Sequence, residues 1–189
     1  MNLKLQIGPA LLALSAAVAA QEDFRDRPYW YVGGFLGQSS VFLGAEDIRQ
    51  GGGLAIAYAK PEPRFRFRKL RGQMVWEAYA NRTFSVNEPR SPNTSAVGFL
   101  VMSRWHGRRD QYGQGFFIDL GWGLQHASKR SIDLDSRISS TPVVDLGSTF
   151  PMGGKELMVA FRILHASNAG LVGRNQGANT FQLMVGVRF

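Results

Sequence analysis

Two histidines in this chain stand two residues before a serine: His126-Ala127-Ser128 and His165-Ala166-Ser167. In an extended chain, residues two apart share a face. Each imidazole is therefore placed to accept the proton of its neighbouring hydroxyl, the transfer that turns a weak alcohol into a nucleophile. Only one other histidine, His106, is present, and there is no cysteine. Thiol nucleophiles, disulfide frameworks and cysteine-ligated metal centres are excluded. Three histidines also argue against a histidine-rich metal site, so no metal and no cofactor is implied.

The elements that must position these residues repeat with a period of two. In the last stretch Phe181, Leu183, Val185, Val187 and Phe189 alternate with Thr180, Gln182, Met184, Gly186 and Arg188. Leu157, Val159, Phe161 and Ile163 share a face over 157–168, and Phe116, Ile118, Leu120, Trp122 and Leu124 share one over 116–128. Met74, Trp76, Ala78 and Ala80 do so opposite Gln73, Glu77 and Asn81. Segments 30–39, 52–60, 95–105 and 141–150 are weaker examples, which makes eight strands with separators such as Pro151-Met152-Gly153-Gly154.

The faces predict which solvent lies on each side. The large apolar face suits lipid, and the opposite face carries Gly, Gln, Asp, Glu and Arg, as in a hydrated or hydrogen-bonded barrel interior. Segments of about 10–14 residues match the roughly 9–11 needed to cross a hydrocarbon core. Residues 1–20 read as a signal peptide: Lys4, an apolar run from Ile7, and small residues ending at Ala20 before Gln21-Glu22-Asp23. That run is too short to span a bilayer as a helix. The expectation is an all-β chain: a signal peptide at 1–20, then an eight-stranded antiparallel transmembrane β-barrel of the bacterial outer membrane over 21–189. A soluble lipocalin-like barrel is the competing architecture.

With the amino terminus in the periplasm, the strands ending near Ser128 and Asn168 end at the cell surface. The basic stretches Arg64–Lys69 and Arg108-Arg109 then fall in periplasmic turns, within reach of phospholipid head groups. A formal net charge of +8 calls for anionic partners. Export and alternation assign that charge to lipid, not to nucleic acid. Trp76, Trp105 and Trp122 read as membrane-facing or interfacial aromatics.

Continuing the apolar face of 157–163 brings His165 and Ser167 to the lipid boundary, where an unpaired polar group is costly. Running the last strand's face backward from Phe181 adds Asn179. The two strands form a hairpin, so Asn179 lies beside or diagonal to His165 and Ser167. His126 and Ser128 likewise continue the outward face of their own strand.

The run His165-Ala166-Ser167-Asn168-Ala169-Gly170, with Asn175-Gln176-Gly177 and the alternating last strand, resembles the lipid A 3-O-deacylase (PagL) family. Weaker similarity reaches Gly37-Gln38-Ser39 and the glycine-rich fifth strand. The resemblance implies an eight-stranded outer-membrane barrel that hydrolyses the ester-linked acyl chain at position 3 of lipid A, with the active site on its outer wall and without a metal. It implies Ser167 as nucleophile and His165 as general base, with Asn168 and the backbone near Gly170 as oxyanion candidates. Only the second His-x-Ser carries the Ser-Asn-Ala context. The family's third member is a glutamate fourteen residues after the histidine, where this chain has Asn179. Asparagine can fix a tautomer but cannot balance the charge of an imidazolium. Asp133 and Asp135 are the conceivable substitutes.

Lys129, Arg130 and Arg174 suit the phosphates of lipid A, or are ordinary solvated loop charges. The partners implied are lipid A (lipopolysaccharide) as substrate and the outer membrane, with a homodimer left open. Two further function classes stand beside the hydrolase: a catalytically weak or inactive family barrel that binds lipopolysaccharide, and a small non-enzymatic pore or adhesion barrel.

Overall fold

The computed structural model describes residues 23–41, 45–65 and 67–189. The expected signal peptide at 1–20 lies outside the described residues. The strands are β1 (Tyr29–Ser40), β2 (Arg49–Pro61), β3 (Arg71–Ser85), β4 (Thr94–His106), β5 (Gly115–Ala127), β6 (Ile138–Ser140), β7 (Val143–Met152), β8 (Lys155–Ala166) and β9 (Ala178–Arg188). β1 to β5 pair antiparallel in chain order, as do β7, β8 and β9; β1 pairs with β9, and β5 pairs with β4 on one side and with β6 and β7 on the other. The sheet therefore closes on itself and leaves no edge to cover.

The sequence alternation anticipates eight strands, and the ninth element arises from Pro142. β6 and β7 occupy one position in the wall and keep one register against β5, with Leu124 opposite Ser140 and Gly121 opposite Val143. Pro142 has no N–H for the ladder, so the strand is interrupted at Thr141-Pro142 and resumes beyond it. A second adjustment concerns Pro151-Met152-Gly153-Gly154. Pro151 and Met152 belong to β7, opposite Glu156 and Lys155, and only the two glycines turn. Their φ values of 53° and 81° are those of a type I′ hairpin, which glycine adopts without steric cost.

Alternation sorts the side chains as expected from the lipid reading. Leu36, Leu54, Val97, Trp122, Leu146 and Leu183 are exposed on the outer wall. That apolar band continues around the barrel, far beyond the patches a water-soluble surface carries. The interior is charged, with ion pairs along its middle. Arg162 donates to Asp145 at 2.7 Å and to Glu77 at 2.5 Å, and Tyr31 donates to Glu77. Arg104 donates to Asp119 at 2.7 Å and to the Tyr29 hydroxyl at 2.9 Å. His106 faces this interior and bonds Gln73 at 2.8 Å, so it takes no part in the outer-wall chemistry. These contacts join opposite walls, and the lumen they cross is also packed with buried apolar side chains such as Phe35, Leu100, Met102, Phe117 and Met184.

Both ends of the described chain lie at one end of the barrel, with the connections 62–70, 107–114 and 153–154. The opposite end carries the connections 41–48, 86–93, 128–137 and 167–177. All four are joined above the mouth, 86–93 through Asn87, which accepts from Ile48 N–H at 2.7 Å and donates to the Glu46 carbonyl at 2.8 Å. Asp133 accepts from the backbone N–H groups of Glu46 and Asp47 at 3.0 and 2.9 Å, and Gln176 N–H donates to the Asp133 carbonyl. Asp135 accepts from Arg174 N–H at 2.7 Å.

Candidate active site

β8, β9 and the β6–β7 junction bring the candidate residues together on the outer wall. On β8 the even positions, including Met158, Ala160, Arg162 and Leu164, are buried inside, so His165 projects outward with Phe161 and Ile163. On β9, Asn179 shares the outward parity of Phe181, Leu183 and Val185. The hairpin register sets His165 directly opposite Asn179. His165 Nδ1 lies 2.8 Å from Asn179 Oδ1. A carbonyl oxygen only accepts, so this bond places the proton on Nδ1 and leaves the Nε2 lone pair free to act as a base.

Three backbone features hold the imidazole. His165 N–H donates to the carbonyl of Pro142 at 3.0 Å, which ties it to the strand interruption. Asn179 stands opposite Ser40 of β1, so the amide partner is itself in the middle of the ladder. Gly177, at φ 78°, lies against the ring, and a β-carbon there would come within 2.6 Å of His165 Cε1 and 3.3 Å of Nε2.

Ser167 follows the last residue of β8 and keeps its outward parity through a bridge to Ser140. Backbone bonds run both ways between them, at 2.7 and 3.1 Å. The Ser167 hydroxyl lies 3.2 Å from the Ser140 hydroxyl, which also reaches the Ser167 carbonyl at 3.2 Å. Among the described residues no hydrogen bond joins Ser167 to His165. Hydrogen bonds of this kind commonly tighten only around bound substrate. Ser140 was not singled out in the sequence. It is 27 residues from Ser167, and only the register across the broken strand brings the two together.

The turn after Ser167 is built by Asn168. Its N–H donates to Asn175 Oδ1 at 2.8 Å, its Nδ2 donates to the carbonyls of Val172 and Arg174, and its Oδ1 accepts from Gly170 N–H at 2.9 Å. Leu171 N–H closes the turn on the Asn168 carbonyl at 3.1 Å, with positive φ at Ala169 (56°) and Gly170 (73°). A left-handed alanine costs on the order of 1 kcal/mol, and such positions cluster where a backbone has a task. Both oxyanion candidates are thus engaged within the turn.

The remaining candidates are dispersed. Lys129 and Arg130 are exposed in the 128–137 connection. Arg174 donates to the Ile132 carbonyl at 3.1 Å and stands 3.9 Å from Glu46. Asp133 and Asp135 serve the loop junctions described above, and neither bonds His165. His126 and Ser128 face outward on β5, as their parity requires, but the residues opposite His126 are Val97 and Ile138, which offer no hydrogen-bond partner. Of the two histidines in His-x-Ser pairs, only His165 has an amide partner fixing its tautomer among the described residues.

Residues 50–188 match the lipid A 3-O-deacylase (PagL) family. The crystal structure of the outer membrane enzyme PagL superposes with a TM-score of 0.64 at 18% identity, over 82% of this chain and 97% of that one. Neisserial surface protein A (NspA) superposes with a TM-score of 0.57 at 16% identity, over 85% of this chain and 95% of that one. At such identities the two structures speak for the fold alone. No curated protein sequence matches the chain. A match over most of the length, together with a closed barrel wearing a lipid-facing band, settles the assignment: this is a β-barrel of the bacterial outer membrane and a member of the lipid A 3-O-deacylase (PagL) family of ester-hydrolysing lipid A deacylases.

Proposed function

We propose that the chain removes the ester-linked acyl chain at position 3 of lipid A in the outer leaflet by a serine–histidine mechanism. The observation that carries this reading is the 2.8 Å bond from His165 Nδ1 to Asn179, which leaves Nε2 basic on the same face as Ser167. In the first step Nε2 takes the Ser167 proton as Oγ attacks the ester carbonyl. The protonated imidazole then returns the proton to the leaving 3-hydroxyl. Water, deprotonated by the same nitrogen, releases the fatty acid and restores Ser167.

The carbonyl oxygen gains negative charge during attack and needs donors fixed in advance. We assign these to the turn 168–171. Asn168 shapes it, and Gly170 N–H becomes available if its single bond to Asn168 Oδ1 opens. The Ser140 hydroxyl, within hydrogen-bond distance of Ser167 Oγ, steadies the nucleophile between turnovers. Lys129, Arg130 and Arg174 border the same mouth and are the candidates for the lipid A phosphates. The homodimer left open by the sequence gains no support from the fold or the comparisons.

Asn179 favours a second reading. An amide orients the imidazole without stabilising its positive charge, and acid-to-amide exchange in a serine triad costs about 10⁴ in turnover. A family barrel that holds lipid A and cleaves it slowly or not at all fits that feature. Mass spectrometry of purified lipid A incubated with the protein separates the two. Loss of one 3-hydroxyacyl chain, with the free 3-hydroxy fatty acid recovered, supports the hydrolase. Unchanged lipid A at high enzyme supports the binding barrel.

A further inference from the structure

The second His-x-Ser, which the catalytic reading leaves unused, belongs to a different surface. Registers across four strands define two outward rows there. Leu54, Ala80, Val97 and His126 follow one another across β2, β3, β4 and β5. One step nearer the cell-surface end, Gly52, Arg82 and Ser95 do the same. Ser128 completes that row, its N–H donating to the Ser95 carbonyl at 2.7 Å. The lower row is apolar up to His126 and the upper row is polar and cationic. Between them lies an open groove of about 620 Å³, floored by Gly52, Gly53 and Ala80 and headed by Arg82, Arg137, His126 and Ser128.

The charge in this groove is unbalanced. Among the described residues no carboxylate lines it. Arg82 forms no ion pair among the described residues. Arg137 spends its Nε on the Ala127 carbonyl at 2.9 Å, which leaves both terminal nitrogens for another acceptor. Ser128 Oγ accepts from Ser95 N–H at 3.0 Å, so its own proton is available to an incoming oxygen. Two guanidiniums and a hydroxyl donor at the top of an apolar trough, at the depth where outer-leaflet head groups lie, complement a phosphorylated lipid whose chain runs down the wall.

We propose that this face is a second, non-catalytic lipid A site, with Arg82 and Arg137 holding a phosphate and an acyl chain lying along Gly52, Leu54 and Val97. It rests on the outer-membrane location and not on the catalytic reading. Arg82 on β3 is four wall positions from Ser167 beyond β8, whereas Ser128 is two and Arg137, beside β6, is one. The acyl trough of Gly52, Leu54 and Val97 lies on β2 and β4, three wall positions and roughly 14 Å from β8 at a strand spacing of about 4.8 Å, so the chain it holds is not the one at Ser167. His126 sits between apolar neighbours at the base of the head-group region, an interfacial role that needs no third residue.

The test is native mass spectrometry of the detergent-solubilised barrel carrying Ser167→Ala, with purified lipid A as the probe. Two bound lipids are expected, falling to one when Arg82→Gln and Arg137→Gln are added, with the second affinity at least tenfold weaker. Lipid A stripped of its phosphates should show the same loss with the arginines intact. In the Ser167 background the double variant should keep its deacylation kcat/KM within twofold. Equal binding by the double variant, equal occupancy by phosphatidylglycerol, or a drop in kcat/KM each overturns the proposal. If lipid A does not bind at Ser167, the initial count is one and falls to zero, so failure of the catalytic reading stays distinguishable.

Discussion

Gly177 lies against the imidazole of His165, and a β-carbon at position 177 would come within 2.6 Å of the ring's Cε1. The bare α-carbon therefore bounds the histidine on the side away from the β6–β7 junction. Gly177→Ala forces the ring to move and places alanine at φ 78°. Displacing a catalytic base by about 1 Å costs on the order of 10² in turnover. Deacylation should fall by about that factor while the barrel stays folded. Steady-state kinetics beside a heat-modifiability gel checks this, and full activity of Gly177→Ala would show that the ring is not held from this side.

Asn179 offers the sharpest test of how the imidazolium is supported. Asn179→Ala removes the acceptor that holds the tautomer and should lower turnover. Asn179→Glu keeps an acceptor and adds charge opposite the protonated ring, and should raise turnover by roughly 10²-fold. Measuring all three proteins in one detergent decides the matter, since equal rates would remove Asn179 from the mechanism.

The interior predicts a stability effect unconnected to chemistry. Arg162 bonds both Asp145 and Glu77 inside the barrel. Arg162→Met leaves two buried carboxylates without their cation, and breaking such a cluster costs about 3–5 kcal/mol. Urea titration of the refolded barrel should show a lowered midpoint, equivalent to a loss of that size in unfolding free energy. An unshifted midpoint would mean that the carboxylates find other partners.

Acid should loosen the outer loops before the wall. Burial alone would raise the Asp47 carboxyl, but hydrogen bonds from Ser85 and Ser91 and the Arg49 guanidinium outweigh it and hold the pKa below 3.8. The sign follows: a depressed carboxylate stabilises the fold fully above its unfolded pKa, and the contribution disappears as pH falls through the folded value. Hydrogen exchange at 45–49, corrected for intrinsic rates, should therefore accelerate below about pH 3.8 in the native protein. In Asp47→Asn it should already be fast at neutral pH and show no such step.

How much of this was legible in the sequence follows from the range of each interaction. The strand period and the shared parity of His165, Ser167 and Asn179 are local properties of extended chain, and the structure shows the same faces. The direct pairing of His165 with Asn179 follows from one hairpin of consecutive strands. Ser140 was out of reach because it meets Ser167 only through the register across Pro142, and the alternation places the strand at 141–150, beginning after Ser140. The pairing of Arg162 with Glu77 spans 85 residues across the lumen, a relationship that alternation places inside but cannot match to a partner. Asp133, a conceivable charge partner for His165 on sequence grounds, ties two outer loops together, because two backbone N–H groups of the 45–48 segment reach it first.

The central claim is that Ser167, and not Ser128, is the nucleophile. The direct measurement is the mass of lipid A after incubation with the native protein, Ser167→Ala and Ser128→Ala. The account predicts loss of the 3-linked acyl chain with the native protein and with Ser128→Ala at comparable rates, and a decrease of at least about 10³-fold with Ser167→Ala. Full turnover by Ser167→Ala, or its disappearance in Ser128→Ala, would contradict it.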